Sequence, residues 1–575
     1  MTKLETKQCQ NCKNQFTVEP DDFAFYEKMK VPAPTWCPEC RMIRRMLWRN
    51  LSVWYRRKCD ATGKSILSMF APDSPYKVYE QEYWRSDAWD PLEYGRDYDF
   101  LKPFFEQFKE LFIAVPHPNL IQKNNFNSEY ANFGLNLKNC YFVGGSDAAE
   151  DCAYIFAHNI RSRECFDLHS ATDTERIYDS VGIEKSQGLR FCQDCIACSD
   201  SYLLYDCRNC TSCFGCVGLR NKQFYIFNQP YSRENYQQEL EKLKPWTYSG
   251  LIRAHEQFNK LKLILPRKFA SIVKSENVTG DEIVNARNCI YCFDTKNDVQ
   301  NCKYSYILLR ANDGQDALVA WDSAELFYEV MSVSAQRVIG SGLIWGGFDV
   351  VYSFNCFDCN NIFGCVGLHN KSYCILNKQL SEPEYKAILP RIIEQMNTTL
   401  YRDAPFAYNE TVAQDYFPKT KEEVLSMGVR WRDPESKKYE ITMKNDEIPD
   451  DINSASDSIL NEVIECGHKG NCNDHCATAF RIVPQELQFL RKMKAPLPRL
   501  CPLCRQGERI RLKNPLHLWD RKCQCSGVSS DNGTYKNTSK HSHGNDHCLN
   551  EFKTPYSPDR KEIIYCEHCY QQETA

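Results

Sequence analysis

What this chain lacks narrows its class before any motif is read. Nowhere in its 575 residues do about 18 apolar residues run together, so no membrane-crossing helix is expected. The opening stretch MTKLETKQCQNCKN has no apolar core of the kind a secretory leader requires. A cytoplasmic protein without membrane attachment is therefore expected, in a compartment that keeps thiols reduced. Net charge is nearly absent as well: 71 basic and 75 acidic residues leave −4. A surface that is basic all over is thereby excluded, and any grip on nucleic acid has to come from a local patch. No phosphate-cradling glycine loop, catalytic triad or paired-carboxylate signature is present. The isolated histidines His117, His158 and His169 could serve as acid or base, but such residues are more often packing or surface residues, so an uncharacterised enzyme is the weakest functional class.

What is abundant is cysteine, 32 residues in all. Where disulfides are disfavoured, clustered cysteines are metal ligands or small buried apolar side chains. The length also exceeds what one hydrophobic core supports, so several sections are expected.

The first cluster is Cys9-x2-Cys12 with Cys37-x2-Cys40. Each CxxC turn presents two thiolates on one side, and two turns complete a tetrahedral four-sulfur site. Pro38 and the amphipathic run RMIRRMLWRN read as a helix launched from the second pair. Knuckle, hairpin and helix together make a treble-clef or zinc-ribbon module. The module recurs: Cys12, Cys37, Cys40 and Cys59 map onto Cys476, Cys501, Cys504 and Cys523 at a constant offset of 464. Phe16, Pro20, Met29, Pro32 and Pro34 follow at the same offset as Phe480, Pro484, Met493, Pro496 and Pro498. Cys9 would fall on Asn473, so Cys472 is expected to replace it, ahead of Cys466 or His468. A second site is expected in this copy from Cys566 and Cys569 with Cys548 and either Cys523 or Cys525. His541, His543 or His547 of the polar insertion 526–547 is an alternative ligand. The N-terminal copy has Glu80 and Tyr83 in place of Cys566 and Cys569, so its second metal position reads as lost. Two to three structural zinc ions are expected.

The middle is doubled too. YDCRNCTSCFGCVGLRNKQFYIFN (205–228) returns as FNCFDCNNIFGCVGLHNKSYCILN (354–377), an offset of 149. Within each copy a looser period of about twelve residues joins a turn residue to short alternating runs such as KNCYF, EDCAY and RECFD. Short strands at regular spacing, stacked as a β-solenoid, satisfy this pattern. Cys192, Cys195, Cys198, Cys207, Cys210, Cys213 and Cys216 are dense enough to raise a zinc-type or iron–sulfur site. The second copy has Ile362 in place of Cys213, and a position that takes Cys or Ile reads as core packing.

The blocks VPAPTWCPECRMIRRMLWRN, YRRKCDATGK, FGCVGLRNK, YNETVAQDYFPKTKEE and YSPDRKEIIYCEHCY resemble an uncharacterised cysteine-rich family of candidate-phylum bacteria with terminal zinc-ribbon domains. The resemblance covers most of the chain and implies zinc modules at both ends. Some relatives carry a CoA-transferase (CaiB/BaiF) label, for which these residues offer no catalytic aspartate context. The chain departs from that family in Cys501/Cys504 and in the histidine-bearing insertion.

The strongest functional pattern follows the first zinc site. Arg41, Arg44, Arg45, Arg49, Arg56, Arg57 and Lys58 have no acidic residue among them, and Trp48, Trp54 and Tyr55 are interleaved. Arginines grip phosphates and aromatics stack on unpaired bases, so structured RNA or a ribosome is the expected partner; the other reading of the same run is a solvated helix whose tryptophans pack inward against the zinc hairpin. A protein-interaction scaffold using a solenoid face and the aromatic helix PFFEQFKELF (103–112) is the alternative. The expected architecture is α+β and multidomain, with terminal treble-clef/zinc-ribbon modules flanking two tandem Cys-rich β-solenoid-like units. Its sections are an N-terminal module (1–100), a helical connector (101–129), a first solenoid unit with closing helix (130–262) and a second (263–400). A connector with a flexible acidic linker at 444–465 (401–465) and a C-terminal module (466–575) follow.

Overall fold

The computed structural model describes residues 4–396, 404–433 and 439–574; the section boundary expected at 400/401 lies outside them. The protein is a mixed α+β molecule whose middle consists of two parallel ladders. In the first, strands from Gln122–Lys123 to Gln193–Ile196 pair strictly in chain order, seven in a row. Leu168 faces Ser180 and Ala171 faces Ile183, a register of twelve residues. Past Ile196 single bridges keep the same step, as in Arg190 to Tyr202, Phe214 and Ile226. The second ladder runs likewise from Ile272–Val273 to Ser372–Ile375 and ends on the antiparallel strand Lys378–Gln379.

Bends recur every third residue. Asp194, Ala197, Asp200, Leu203, Asp206, Asn209 and Ser212 all have φ between 46° and 54°. A left-handed conformation costs an ordinary residue roughly 1–2 kcal/mol, and least for Asn and Asp. Their side chains also bond from one bend to the next, Asn127 to Asn139 to Asp151 at 3.0 Å each. Where an aromatic ring covers the bend, glycine is required. Gly215 has φ +64°, and a Cβ there would meet the Phe227 ring at 2.4 Å. Gly364, at the same place in the second FGCVGL, would meet Phe104 at 2.7 Å.

The ladder interiors hold the dense cysteines as packing residues. Cys195, Cys207, Cys210, Cys213 and Cys216 are fully buried. Their thiols donate to the carbonyl two residues back, Cys195 to Gln193 at 3.3 Å and Cys213 to Thr211 at 3.5 Å. Ile362 occupies the Cys213 position of the second ladder in an equally closed core.

The chain divides into two compact units, and neither is continuous in sequence. One contains residues 1–120 with 270–432, the other 121–269 with 433–575. The sections therefore do not pack in the order in which they are read: each end module shares a unit with the ladder far from it in sequence. In the first unit Tyr26 lies 5.6 Å from Tyr328, and Trp48 packs between Phe112 and Phe354. In the second, Phe489 stacks on Phe166 at 4.4 Å.

Helices stand where the closing sequences place them, at Phe104–Ala114, Arg233–Leu243 and Glu382–Met396. Ser232 caps the second through its hydroxyl, and Ser381 exchanges backbone and side-chain bonds with Glu384 at the third. A further helix, Tyr248–Ile264, is capped by Thr247. Two expectations need correction. The segment 444–465 is not a flexible linker: Ile448, Ile452, Ile459 and Ile464 are 0–3% exposed, because these isoleucines anchor an otherwise acidic stretch. The aromatic helix turns Phe104, Phe108, Leu111 and Phe112 inward, so it offers no apolar docking face. Among the described residues no helix is long and apolar enough to cross a membrane.

Candidate metal centres

Among the described residues three groups of four cysteines converge, each with its sulfurs within 4.8 Å of one another. They are Cys9/Cys12/Cys37/Cys40, Cys466/Cys476/Cys501/Cys504 and Cys523/Cys548/Cys566/Cys569. All three follow one local plan. The N–H of Cys9, Cys466 and Cys523 donates to the carbonyl of Asn14, Thr478 and Asn550, in each case two residues past the second ligand. The N–H of Cys37, Cys501 and Cys566 donates to the sulfur of that first cysteine, 3.2 Å in every site. Helices then start at Pro38, Pro502 and Glu567, so each second pair sits on a helix N-terminus, which favours thiolate. Burial pushes the Cys9 thiol up, but the N–H groups of Cys37, Cys12 and Asn11 outweigh it and bring it down to about 7. Hydrogen bonds from Cys501 and Cys504 draw Cys466 down to about 4 against burial.

The second site corrects one expected ligand. Cys466, not Cys472, takes the place of Cys9. Cys476 follows Cys466 by ten positions where Cys12 follows Cys9 by three, so a seven-residue insertion (10 − 3) swells the knuckle. Cys472 lies on that insertion, its sulfur 3.6 Å from Cys504, in a group with His468 and Asp474. A fixed offset cannot see through an insertion; the hairpin that ends on Cys466, Ile464–Glu465 against Ala479–Phe480, is the signal that could have. In the third site the open choice falls on Cys523, and Cys525 lies outside the four-cysteine group.

The N-terminal module has the same backbone frame at a further place. The Cys59 N–H donates to Lys64, two residues past Thr62, and the Glu80 N–H donates to the Cys59 sulfur at 3.3 Å. Thr62, Glu80 and Tyr83 stand where the third site has cysteines. Lys64 pairs with Glu80 at 3.1 Å, a cation beside the carboxylate.

The basic residues expected to face a nucleic acid are placed differently, and this is a second correction. Arg41, Arg45 and Arg49 are 1, 4 and 8% exposed. Arg41 Nε and Arg45 Nη1 grip the buried Asp316 at 2.9 and 3.0 Å, and Arg49 donates to Ser332. Arg44 pairs with Glu329 at 2.9 Å and stacks on Trp36. Arg57 is held by Asp60 and the carbonyls of Ala71 and Tyr76. Trp48 packs on the second ladder, as described above. Arg56 and Lys58 are exposed, on the strand Tyr55–Lys58. Asp316 and Glu329, the acids that pair with Arg41, Arg44 and Arg45, lie far along the chain, so that stretch of sequence does not show them. The C-terminal copy repeats the arrangement: Arg505 and Arg509 grip the buried Asp167, Arg509 at 2.9 Å. Module offset 464 (505 − 41, 509 − 45) and ladder offset 149 (316 − 167) meet in one interaction.

His117 and His169 are buried packing residues. His117 donates Nε2–H to the Phe112 carbonyl at 2.8 Å among the rings of Phe70, Phe112 and Phe354, and burial lowers its pKa to about 4. His169 bonds Gln506 at 2.8 Å, and His158 is half-buried on the strand Ala153–Arg163. Compared with models of known families and with curated proteins, the chain matches none.

Proposed function

We propose that this protein is a zinc-stapled, non-catalytic scaffold that acts through protein contacts. On this reading each unit is a β-solenoid with a zinc-ribbon or treble-clef module locked onto it, and the chain belongs to the cysteine-rich family it resembles. The observation that carries the proposal is the repeated lock of Arg41 and Arg45 on Asp316 and of Arg505 and Arg509 on Asp167. Cations committed inside a unit are not free for phosphates, so the module helices serve assembly of the unit. Zinc is supported by spacing. Sulfurs 2.3 Å from a shared tetrahedral centre lie about 3.8 Å apart. Cys12–Cys37, Cys466–Cys504 and Cys548–Cys566 are 3.7, 3.8 and 3.9 Å apart. Four protein sulfurs leave no position for a reacting water, which fits a structural ion.

Elemental analysis of the full chain, with circular dichroism before and after chelation, tests the metal reading; at least three zinc ions and loss of structure on chelation are expected. Titration with structured RNA at several salt concentrations tests the rest, with no salt-dependent binding expected. Tight binding with a steep salt slope, abolished by Arg56→Glu with Lys58→Glu, would replace the scaffold by the nucleic-acid reading.

A further inference from the structure

We infer that the insertion 526–547 builds a second metal position beside the third four-cysteine site, and that the Cys569 thiolate bridges the two ions. This rests on the zinc reading above and adds a centre of different composition. Its ligands are Cys525, His541, His543 and Cys569, whose donor atoms lie within 4.8 Å of one another. Cys525 Sγ is 3.3 Å from His541 Nδ1, and Cys569 Sγ is 3.3 Å from His543 Nε2.

Three of the four donors, His541, His543 and Cys525, are held from behind. His541 Nε2 meets Glu573 Oε1 at 2.9 Å, with both side chains 0–1% exposed. Glu573 is itself fixed by the Tyr535 hydroxyl at 2.7 Å and the Thr538 N–H at 2.8 Å. A carboxylate on Nε2 places the proton there and turns the Nδ1 lone pair toward Cys525. His543 donates Nδ1–H to the Asp546 carbonyl at 2.8 Å, which leaves Nε2 as the lone pair facing Cys569. The Cys525 sulfur accepts from Asn537 Nδ2 at 3.3 Å, and the Tyr565 hydroxyl orients that amide.

Charge favours the shared centre. A single divalent ion with four thiolates carries −2, whereas two such ions with the thiolates of Cys523, Cys525, Cys548, Cys566 and Cys569 carry −1 (4 − 5). Less net negative charge then has to be buried in this module. The cluster His468/Cys472/Asp474/Cys504 looks similar but is already neutralised, since Arg511 holds Asp474 through two bonds of 2.8 and 3.0 Å. No ion is assigned to it, and it serves as the control.

The test is metal stoichiometry of the full chain purified with zinc, by native mass spectrometry and elemental analysis. Four ions per chain are expected for the native sequence, three for His541→Ala/His543→Ala, and four for Cys472→Ser. A measurement on the native chain covers the case in which the double variant fails to fold. In the cobalt-loaded protein, two high-spin ions sharing one thiolate are magnetically coupled, so the paramagnetic resonance signal per cobalt falls as the last ion enters. Three ions in the native chain, or four retained by the double variant, overturns the bridged centre and leaves the zinc scaffold standing. No bound metal at all overturns both.

Discussion

At the scale of single residues, the second metal site turns on Cys466, whose sulfur lies 3.8 Å from that of Cys504. All four ligands of the first site lie in CxxC pairs; in the second only Cys501 and Cys504 do, with Cys476 at offset 464 from Cys12. The last ligand of the second, Cys466, is displaced by the seven-residue insertion. Cys466→Ser is therefore expected to remove one ion from the full chain, counted by elemental analysis, whereas a count that drops only with Cys472→Ser would show that the assignment is wrong. His117 carries a different prediction. Burial lowers its folded pKa to about 4, below the roughly 6.5 of an exposed imidazole. Above pH 6.5 both states are neutral and the fold has its full stability. As pH falls toward 4 the unfolded chain takes up a proton that the folded one refuses, so stability declines by at most about 3 kcal/mol. Thiolate ligands also release metal in acid, so the comparison has to be with His117→Phe. Urea unfolding at about pH 7.5 and about pH 5 should show a smaller loss in that variant, and equal losses would remove His117 from the account.

At the scale of elements, period and turn chemistry carried far. The twelve-residue repeat, the closing helices at Ser232 and Ser381 and the packing role of Cys213 all follow from local pattern. The bends were less visible, because many of them fall on residues such as Ala197 and Leu203 that carry no turn signal of their own. Gly215 is the exception whose reason is steric. Gly215→Ala would add a Cβ at φ +64° against Phe227, and a loss of about 1–3 kcal/mol is expected in denaturant unfolding. The knuckle of the first module makes a constructive prediction. Its backbone bonds at Cys59 and Glu80 match those of the metal sites, so only the donor atoms are missing. Thr62→Cys/Glu80→Cys/Tyr83→Cys is expected to gain one zinc ion per chain over the native count. Failure to gain it would mean that the frame has shifted as well as the ligands.

At the scale of the whole molecule, the chain uses one building block twice, with its two parts far apart in sequence. Offsets of 464 and 149 revealed both duplications, but an offset relates copies of a part and says nothing about which parts touch. That pairing is written in Asp316 and Asp167, buried acids that look like ordinary bend residues among dozens of others. Their removal is a direct test of the lock. Asp316→Ala strands the buried guanidinium groups of Arg41 and Arg45, and uncompensated buried charge of this kind costs about 3–5 kcal/mol. Glu329, 3.5 Å from Arg41 and 3.4 Å from Arg45, offsets part of that cost in the first unit. In the second, Glu486 supports Arg505 at 2.8 Å, and Asp179 supports Arg509 at 3.2 Å. Hydrogen exchange should accelerate in the helix Pro38–Met46 for Asp316→Ala and in Pro502–Leu512 for Asp167→Ala, with the sulfur sites still able to bind metal. Because Arg41 and Arg45 also have to be freed before they can reach any phosphate, Asp316→Ala is the variant in which RNA binding should first appear if the basic helix has that capacity. Faster exchange without RNA binding would leave these arginines with a purely structural role; unchanged exchange would mean that the lock does not hold the module.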